Sequence, residues 1–419
     1  MEEEAGMTEA RTTCCVVGGG PAGVMLGLLL ARAGVQVTVL EKHKDFFRDF
    51  RGDTVHPSTM QLMKELGILQ DFLAQPHQKI DRLGGVYGGY AFQLGDLRTL
   101  PVDTPYIALM PQWDFLNFLT SKAKAYPEFT LLMEHEATGL IESNGRVRGV
   151  VVQTPEGEQR IEADLVVACD GRHSLMRQNA ALPLKELGVP IDVLWFRLSK
   201  TENDAVKGVM GNINYGRMLI LIERSDYFQA GLIIHKGGLA EIQRAGLDAF
   251  RELLREVVPA LGDRVEEITS WDQVKLLTVQ VNRLLKWWRP GLLCIGDAAH
   301  AMSPVGGVGI NLAVQDAVAT ANALAGALRA GKSTDALLQR VQQRRTLPVR
   351  ATQRMQVTVH KGLRKIFAHT GPMRAPLLLK VIVHLPGLKR LLARMVGLGL
   401  RREHVRTADV HRNIRGTRQ

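Results

Sequence analysis

A glycine-rich turn near the start of the chain constrains the fold more than any other feature of the sequence. Gly18, Gly20 and Gly23 follow the pattern G-x-G-x-x-G. A β-rich run over residues 12–17 leads into this turn, a helical run over 24–32 follows it, and a second β-rich run covers 35–40. Strand, glycine turn, helix and strand in this order predict a βαβ unit, and therefore an α/β fold with parallel strands.

Each glycine of the turn has its own physical task. The first permits a tight turn, the second lets the backbone approach a pyrophosphate, and the third lets the helix pack on the strand. The helix then offers unpaired N–H groups and the positive end of its dipole to the phosphates. Glu41 ends the second β-rich run, 18 positions after Gly23, where a carboxylate can bind both hydroxyls of an adenosine ribose. These residues predict a tightly held FAD or NAD.

Two further motifs follow short apolar runs later in the chain. Asp170 begins the pattern D-G-x-x-S-x-x-R, which ends at Arg177. Asp297 belongs to the pattern G-D-A-A-H, and a glycine-rich segment then leads to Asn311, where a long Ala-rich helix over 311–329 is predicted. The chain contains one dinucleotide fingerprint and no redox-active C-x-x-C pair, so a disulfide reductase is not indicated.

In this order and spacing the three motifs resemble those of the class A flavoprotein monooxygenases. That family includes p-hydroxybenzoate hydroxylase, the ubiquinone-pathway hydroxylases and the polyketide aromatic hydroxylases. The resemblance extends over about residues 12–328. It implies an enzyme with FAD as cofactor and NAD(P)H as transient co-substrate. Such an enzyme uses O2 to hydroxylate or epoxidise an aromatic or unsaturated, lipophilic small molecule through a flavin hydroperoxide.

The resemblance also implies roles for individual residues. Asp297 would bind the ribityl chain, and Asp170 belongs to a motif associated with FAD and NAD(P)H. Arg51 and Gln112 match positions near the FAD phosphate and ribityl region, and Ala137 matches a backbone contact to the adenosine. The turn at residues 307–311 would lie against the flavin pyrimidine. The expected cofactor-binding residues are Gly18, Gly20, Gly23, Glu41, Arg51, Gln112, Ala137, Asp170, Asp297, Gly307, Gly309, Ile310 and Asn311.

The chain departs from the family at Val308, where relatives commonly carry Gln, so one side-chain polar contact to the flavin is lost. No catalytic side chain and no substrate can be named from the sequence. The twelve histidines show no paired metal-ligand spacing, so no metal site is predicted.

The architecture implied by the resemblance is a Rossmann-like FAD-binding domain with an inserted antiparallel β-sheet substrate domain and a helical C-terminus. Because strand-rich inserts separate the three motifs, we expect the FAD-binding domain to be discontinuous, at 12–78, 106–181 and 272–333. The substrate-binding sheet would cover 79–105 and 182–271. A basic helical segment would occupy 334–419.

Positive charge is concentrated at the C-terminus. The chain carries a net charge of +11, and residues 361–419 contain 14 Lys and Arg but 2 acidic residues. Solvated helix faces are the preferred interpretation. Peripheral contact with a membrane through this segment is the alternative, because residues 377–400 are rich in Leu, Val and Ile between the cations. A single aromatic residue in the segment argues against nucleic acid as a partner.

The remaining sequence supports a cytoplasmic location. No run of about 18 apolar residues is free of charge, and the acidic start lacks the features of a signal peptide. Two other functions stay open: a flavin-dependent reductase or halogenase, and a non-catalytic FAD-binding protein that docks through its basic tail. The pair Trp287–Trp288 does not fit the halogenase pattern W-x-W-x-I-P.

Some residues have both a functional and a structural interpretation. His56 precedes Pro57 and could contact the active site or relay a proton, but a histidine at a helix start is the preferred interpretation. Four aromatic residues on predicted strands could line a substrate pocket or belong to the core: Trp195, Phe196, Tyr227 and Phe228.

Overall fold

The computed structural model describes residues 9–47, 54–201, 204, 209–224 and 226–411. In chain order, the strands β1 to β20 are Glu9–Val17, Val37–Glu41, Thr54–Val55, Gln78–Ile80, Arg82–Tyr87, Tyr90–Asp96, Ile107–Leu109, Phe129–Met133, Glu136–Ser143, Arg146–Thr154, Gly157–Ala168, Leu184–Glu186, Ile191–Ser199, Val209–Asn214, Arg217–Glu223, Tyr227–His235, Lys275–Leu277, Asn282–Leu284, Trp288–Arg289 and Leu292–Cys294. The helices α1 to α11 are Pro21–Arg32, Pro57–Glu65, Leu69–Leu73, Gln112–Ala123, Leu175–Asn179, Leu239–Ala245, Leu247–Val257, Gly309–Arg329, Asp335–Phe367, Leu377–Ile382 and Pro386–Gly397.

A mostly parallel sheet carries the glycine turn. Its main order is β19-β20-β11-β1-β2-β8, and β10 and β9 extend it beside β11. Strand β1 pairs in parallel with β2 and β11, and β11 pairs in parallel with β20. Helix α1 is buried on nearly all sides because it packs against α4 and α8 as well as the sheet. This arrangement confirms the predicted α/β fold with its βαβ unit.

The same sheet brings the three sequence motifs to one edge. Val17 at the end of β1 pairs with Ala168 of β11, and Ala168 pairs with Cys294 of β20. Each of these strand ends is followed within two residues by the start of one motif. In open parallel sheets, ligands bind outside the carboxyl ends of the strands. The edge formed by these three strand ends is therefore the place to look for the cofactor.

A second sheet has the order β17-β13-β16-β15-β14-β5-β6 and is antiparallel except for the pair β14–β5. One face is covered by α7, which buries Phe250 and Leu254 against it. The end of α9 covers part of the other face, with Leu363 and Phe367 packed on Ile191. The sheet combines residues 82–96 with residues 191–277 and confirms the predicted antiparallel insertion.

The C-terminal part of the chain is helical as far as Gly397 and then changes character. Helix α9 runs for 33 residues along α8, and α11 packs on β6. Residues 398–411 contain no helix or strand and extend across the parallel-sheet half of the molecule. Arg32 of α1 donates to the carbonyl of Thr407 at 2.7 Å, and Glu65 accepts from the amide of Val405 at 2.8 Å. Residues 398–411 are therefore held against the protein surface by hydrogen bonds, while many of their side chains stay exposed.

Within the described residues, no helix has the length and apolarity needed to cross a membrane. In the same part of the chain, no group of three or more histidine, cysteine or acidic residues is arranged to hold a metal ion.

Candidate cofactor site

The glycine turn combines one crowded position, one open position and one close helix contact. Gly18 has a φ of +106°, and a Cβ there would lie 2.5 Å from the carbonyl oxygen of Cys169. A Cβ on Gly23 would lie 2.0 Å from the carbonyl oxygen of Gly18. Gly20, which caps α1, has nothing within 4 Å of where its Cβ would be. The turn thus leaves room for a pyrophosphate at the N-terminus of α1.

Glu41 lies beside this turn. Its Oε2 accepts the amide of Gly19 at 3.2 Å, and its Oε1 accepts the amide of His43 at 3.1 Å. The carbonyl of Glu41 accepts the amide of His135 at 3.0 Å, which brings the start of β9, and with it buried Ala137, to the same end of the site. The structure therefore groups the predicted adenosine contacts.

Asp170 follows β11 and adjoins the glycine turn, since a Cβ on Gly18 would lie 3.0 Å from its Cα. One carboxylate oxygen of Asp170 accepts the amide of Met176 at 3.1 Å, while Oδ1 is buried and has no hydrogen-bond partner. Burial raises the pKa of this carboxyl above its ordinary value, against the lowering effects of the Ser174 side chain and the Met176 amide. A buried acceptor without a donor is a position for a ligand hydroxyl.

The second and third motifs meet at Asp297. Its carboxylate lies 3.3 Å from the guanidinium of Arg172, and both side chains are about a third exposed. Arg177 is buried and donates to the carbonyls of Ala298 and Arg172, at 3.1 and 2.9 Å. Arg177 therefore joins the two motifs from within, rather than forming a surface ion pair.

The turn before α8 forms the other end of the site. Gly307 has a φ of +60°, and its Cβ would lie 2.4 Å from Oγ1 of Thr54. That hydroxyl donates to the Gly307 carbonyl at 2.7 Å. Helix α8 begins at Gly309, two residues before the predicted start, and Gly309 has open space at its Cβ position. The first N–H groups of a helix have no partner within the helix, so this start can offer them to a ligand.

Both polar atoms of the Asn311 side chain form hydrogen bonds within the protein. Its Oδ1 accepts the amide of His56 at 2.8 Å and the hydroxyl of Thr59 at 2.7 Å. Its amide nitrogen donates to the carbonyls of Thr54 and Gly307, at 3.1 and 3.3 Å. Asn311 thus ties the turn to β3 and α2, and its neighbour Ile310 is buried. A contact from Asn311 to a ligand would have to come from its backbone.

Gln112 begins α4 and is half-buried, just after β7, the strand that pairs with β3. Arg51 lies outside the described residues. His56 caps α2, as the preferred interpretation had it. Its ring is 1% exposed and has Nδ1 2.7 Å from the carbonyl of Val396, and burial lowers its pKa to about 4. His56 is therefore neutral at pH 7.

A buried polar network behind the site was not predicted. Asp316, within α8, lies 2.6 Å from Nε2 of His300 and 2.8 Å from the guanidinium of Arg345, and it accepts the amide of Gly296 at 3.1 Å. Burial opposes ionisation of Asp316, but the neighbouring His300 and Arg345 hold its pKa below the ordinary value. A lone acid in an Ala-rich helix is the sequence signal that could have indicated this network.

The four aromatic residues separate by strand register. Phe196 and Phe228 point to the face covered by α7, where Phe196 lies 5.6 Å from Phe250. Trp195 and Tyr227 lie on the opposite face, because side chains alternate along a strand. Phe196 and Phe228 are core residues, so only Trp195 and Tyr227 remain as candidates for lining a substrate pocket.

Comparison with known proteins identifies the family of this chain. The sequence matches the family described as "FAD binding domain" over residues 11–356. It is 34% identical to 6-methylpretetramide 4-monooxygenase of Streptomyces rimosus over 350 residues, which cover 83% of each chain. It is 26% identical to para-nitrophenol 4-monooxygenase of Pseudomonas sp. strain WBC-3, over 77% of this chain and 80% of that protein.

Among solved structures, the fold is similar to that of the anhydrotetracycline hydroxylase OxyS of Streptomyces rimosus. The TM-score is 0.72 at 22% identity, over 92% of this chain and 76% of the other. The family match covers well over half of this chain and confirms the resemblance in the sequence motifs. The chain therefore belongs to the FAD-binding family of flavoprotein monooxygenases, with FAD as its cofactor.

Proposed function

We propose that this chain uses NAD(P)H and O2 to hydroxylate an aromatic, lipophilic small molecule. The observation that carries this proposal is the pair of open helix starts, at Gly20 and Gly309, at the sheet edge where the motifs of Asp170 and Asp297 also begin. A relative 34% identical acts on 6-methylpretetramide and another acts on para-nitrophenol, which supports an aromatic substrate. No observation favours a reductase, a halogenase or a non-catalytic FAD-binding role.

The cofactor contacts belong to the same proposal. The adenosine end would lie at Gly18, Glu41 and Ala137, the pyrophosphate at Gly20, and the ribityl chain between Asp170 and Asp297. The remaining expected contacts, from residues 307–311, would face the flavin ring, with Gln112 and Arg51 near the ribityl and phosphate region. The fit rests on the open Gly20 and Gly309 positions and on the unpartnered Asp170 oxygen.

The division of the chain is also a proposal. The FAD-binding domain would comprise 12–78, 106–181 and 272–333, and the substrate domain 79–105 and 182–271. The order of strands in the two sheets supports this division, and the basic helical segment from 334 to 419 would complete the molecule. The substrate would lie between the Trp195 face of the second sheet and the turn before α8.

FAD supplies the redox chemistry and the activation of O2 when it is bound. The residues of the chain bind and orient. The N-terminus of α8 would stabilise negative charge at the pyrimidine end of the ring, because its N–H groups and dipole point there. Neutral His56 adds no charge close to this turn. Trp195 packs with Val193 and Val279, and its indole would help to exclude water from an aromatic substrate bound beside it.

The test is an absorbance spectrum of the purified protein, followed by addition of NADH or NADPH in air. A flavin band that bleaches slowly, and faster when one candidate aromatic compound is present, is the expected result. Hydroxylated product with one oxygen atom from labelled O2 would identify the reaction. A flavoprotein that neither nicotinamide reduces, with every aromatic compound tried, would contradict the proposal.

We also propose that this chemistry takes place in the cytoplasm at a membrane surface. Helix α10 has no buried residue, and Leu377, Leu378 and Val381 are 79%, 69% and 54% exposed. Residues 361–402 contain ten Lys and Arg and no acidic residue, so this apolar surface is surrounded by positive charge suited to anionic lipids.

The membrane proposal is tested by sedimentation with vesicles that contain anionic lipid. Leu377→Ser together with Leu378→Ser should lower the bound fraction, with no change in FAD content, because neither side chain is packed in the protein. Leu347→Ser, at a leucine that is 57% exposed on α9, is the matched control. Equal binding of the wild-type protein to neutral vesicles and to anionic vesicles, or equal binding of all variants, would contradict a lipid-docking role.

A further inference from the structure

Helix α9 directs a row of polar side chains into the protein. Arg345, Gln353, Gln356 and His360 are each 0–1% exposed. Their spacing of three, four or eight positions places them on one face of the helix. Buried amides and imidazoles need hydrogen-bond partners, so the partners of this row show which part of the molecule α9 holds.

The amide of Gln356 is fully used by a short segment of the cofactor site. Its nitrogen donates to the carbonyls of Ser303 and Val305, at 2.9 and 3.0 Å, and its oxygen accepts the amide of Ser303 at 3.1 Å. One turn earlier on the helix, Gln353 donates to the carbonyl of Ala301 at 3.3 Å. Side chains of the helix therefore hold the backbone of the segment 301–305 at alternate residues, 301, 303 and 305.

His360, one helical turn after Gln356, contacts the same segment. Its Nε2 lies 2.9 Å from Oγ of Ser303, and the same hydroxyl accepts the amide of Val305 at 3.3 Å. Burial lowers the pKa of His360, which keeps the ring neutral. A neutral imidazole can share one hydrogen bond with the Ser303 hydroxyl without leaving a charge in the interior.

The segment that these residues hold leads directly into Gly306, Gly307 and the start of α8. It has no helix or strand of its own between residues 300 and 308. On its far side, Thr54 and Asn311 hold Gly307. The turn is thus fixed from two directions, from β3 and α2 on one side and from α9 on the other.

We propose that Gln356 and His360 are positioning residues for FAD. They act through Ser303 and Val305 and set where the turn before α8 meets the flavin ring. This inference rests on the proposed assignment of residues 307–311 to the ring. It makes the basic helical segment, which sequence reasoning separates from the cofactor domain, a working part of the cofactor site.

A purely structural role would anchor α9 without affecting the flavin, so the test must measure the flavin itself. The readouts are the dissociation constant of FAD for apoprotein, the visible absorbance and circular dichroism of bound FAD, and the melting temperature of the apoprotein. The variants are Gln356→Leu, which removes three hydrogen bonds, and His360→Phe, which removes one. Gln343→Leu, at an exposed glutamine on the same helix, is the control.

Each lost hydrogen bond is expected to weaken FAD binding by roughly threefold. We therefore expect a loss of about threefold for His360→Phe and of about tenfold or more for Gln356→Leu, which removes three bonds. Both should change the visible spectrum of bound FAD, and Gln343→Leu should not. Ser303→Ala removes the bond to His360 and also the bond from the Val305 amide, so the double variant should weaken binding no more than Ser303→Ala alone.

Folded variants with a dissociation constant within twofold of wild type and an unchanged flavin spectrum would overturn the proposal. If Gln356→Leu does not fold, His360→Phe and Ser303→Ala decide the question. Gly309→Val tests the other premise, which is that residues 307–311 lie against the flavin ring. A side chain there enters open space and should weaken FAD binding if the ring lies against Gly309. No effect of Gly309→Val would contradict the assignment, and an effect there alone would contradict the positioning role.

Discussion

At the scale of single residues, the cofactor site depends on glycines that differ in what surrounds them. A side chain on Gly23 would overlap the carbonyl of Gly18, so Gly23 is required for the fold of the turn itself. A side chain on Gly20 meets nothing in the protein and has an ordinary negative φ of −75°. We therefore expect the need for glycine at position 20 to come from the ligand.

Gly20→Ala should leave the apoprotein as stable as wild type and weaken FAD binding by about tenfold or more, because the methyl group occupies the approach of the pyrophosphate. Thermal melting of apoprotein and a fluorescence titration with FAD measure the two effects. Gly326→Ala, at another open glycine but far along α8, is the control and should bind FAD normally. Unchanged FAD affinity in Gly20→Ala would show that the pyrophosphate lies elsewhere.

His56 should make stability depend on pH. Its pKa is lowered by burial to about 4 from an ordinary 6.5, so the unfolded chain binds a proton first as the pH falls. Its contribution is therefore complete above pH 6.5 and is lost between 6.5 and 4, by up to ~3 kcal/mol. His56→Gln should reduce the loss of stability between pH 7 and 4.5, whereas His369→Gln, at an exposed histidine, should not. Denaturant unfolding at both pH values measures it.

At the scale of elements, strand register decides which side chains can face a substrate. Trp195 of β13 pairs with Gly231 of β16, and its ring lies over that glycine, where a Cβ would be 2.7 Å from the indole. One position along each strand, Phe196 and Ala230 face the core against α7. A single sheet thus has one face packed against α7 and an opposite face on which Trp195 packs with Val193 and Val279.

Gly231→Ala should displace the Trp195 indole and raise the KM for the aromatic substrate several-fold, with a smaller effect on FAD binding. The added methyl group cannot fit at 2.7 Å from a ring without moving it. Steady-state kinetics over substrate concentration, once the substrate is known, check this split. Gly139→Ala, whose new Cβ meets ordinary contacts at 3.5 Å on β9, is the control. Equal KM values for both variants would contradict a contact between Trp195 and the substrate.

The segment 403–411 has no helix or strand and packs across the half of the molecule that contains the parallel sheet. Glu403 is 4% exposed and accepts from Arg344 at 2.7 Å and from Arg345 at 3.5 Å. Arg345 in turn contacts Asp316 of α8. Glu403 therefore adds a second carboxylate beside the buried ion pair between Arg345 of α9 and Asp316 of α8.

Glu403→Gln should lower the free energy of unfolding by about 2–3 kcal/mol, because a buried guanidinium loses part of its charge compensation. Glu256→Gln, at an exposed acid on α7, should have no measurable effect. Denaturant titration of both variants provides the comparison. Identical unfolding curves would mean that Asp316 alone compensates Arg345.

At the scale of the whole molecule, the cofactor site joins segments that are far apart in the chain. The motifs at Gly18, Asp170 and Asp297 meet because β1, β11 and β20 are neighbours in one sheet. Helix α9 and residues 403–411 close the same half from behind. FAD should therefore stabilise this half as one unit, since a ligand that binds only the native state adds to its stability.

Hydrogen exchange measures this effect. Addition of FAD should slow exchange in the glycine turn, in residues 170–177 and in residues 296–311 together, and leave α7, which lies on the far face of the second sheet, nearly unchanged. Slower exchange confined to the glycine turn would show that the other two motifs do not contact the cofactor.

Local patterns were sufficient for much of this protein. The glycine turn between two β-rich runs and the acid at Glu41 predicted the βαβ unit and a bound FAD or NAD, because they depend on residues close together in the chain. The resemblance of the three motifs to a known family then implied FAD. Which face of the second sheet each aromatic residue occupies could not be predicted from composition or periodicity. Trp195 and Phe196 are adjacent in the chain and differ only in the face on which they lie.

The sequence by itself determined the parallel fold and the positions of the motifs, since strand propensity, glycine geometry and helix capping are local properties, and the resemblance of its motifs to a known family implied the cofactor. Only the tertiary structure decided how the C-terminal part of the chain is used. The contacts of Gln356 with Ser303 and of Glu403 with Arg345 join residues 53 and 58 positions apart. Such pairs form where burial forces polar groups to find partners, and that requirement exists only after the chain has folded.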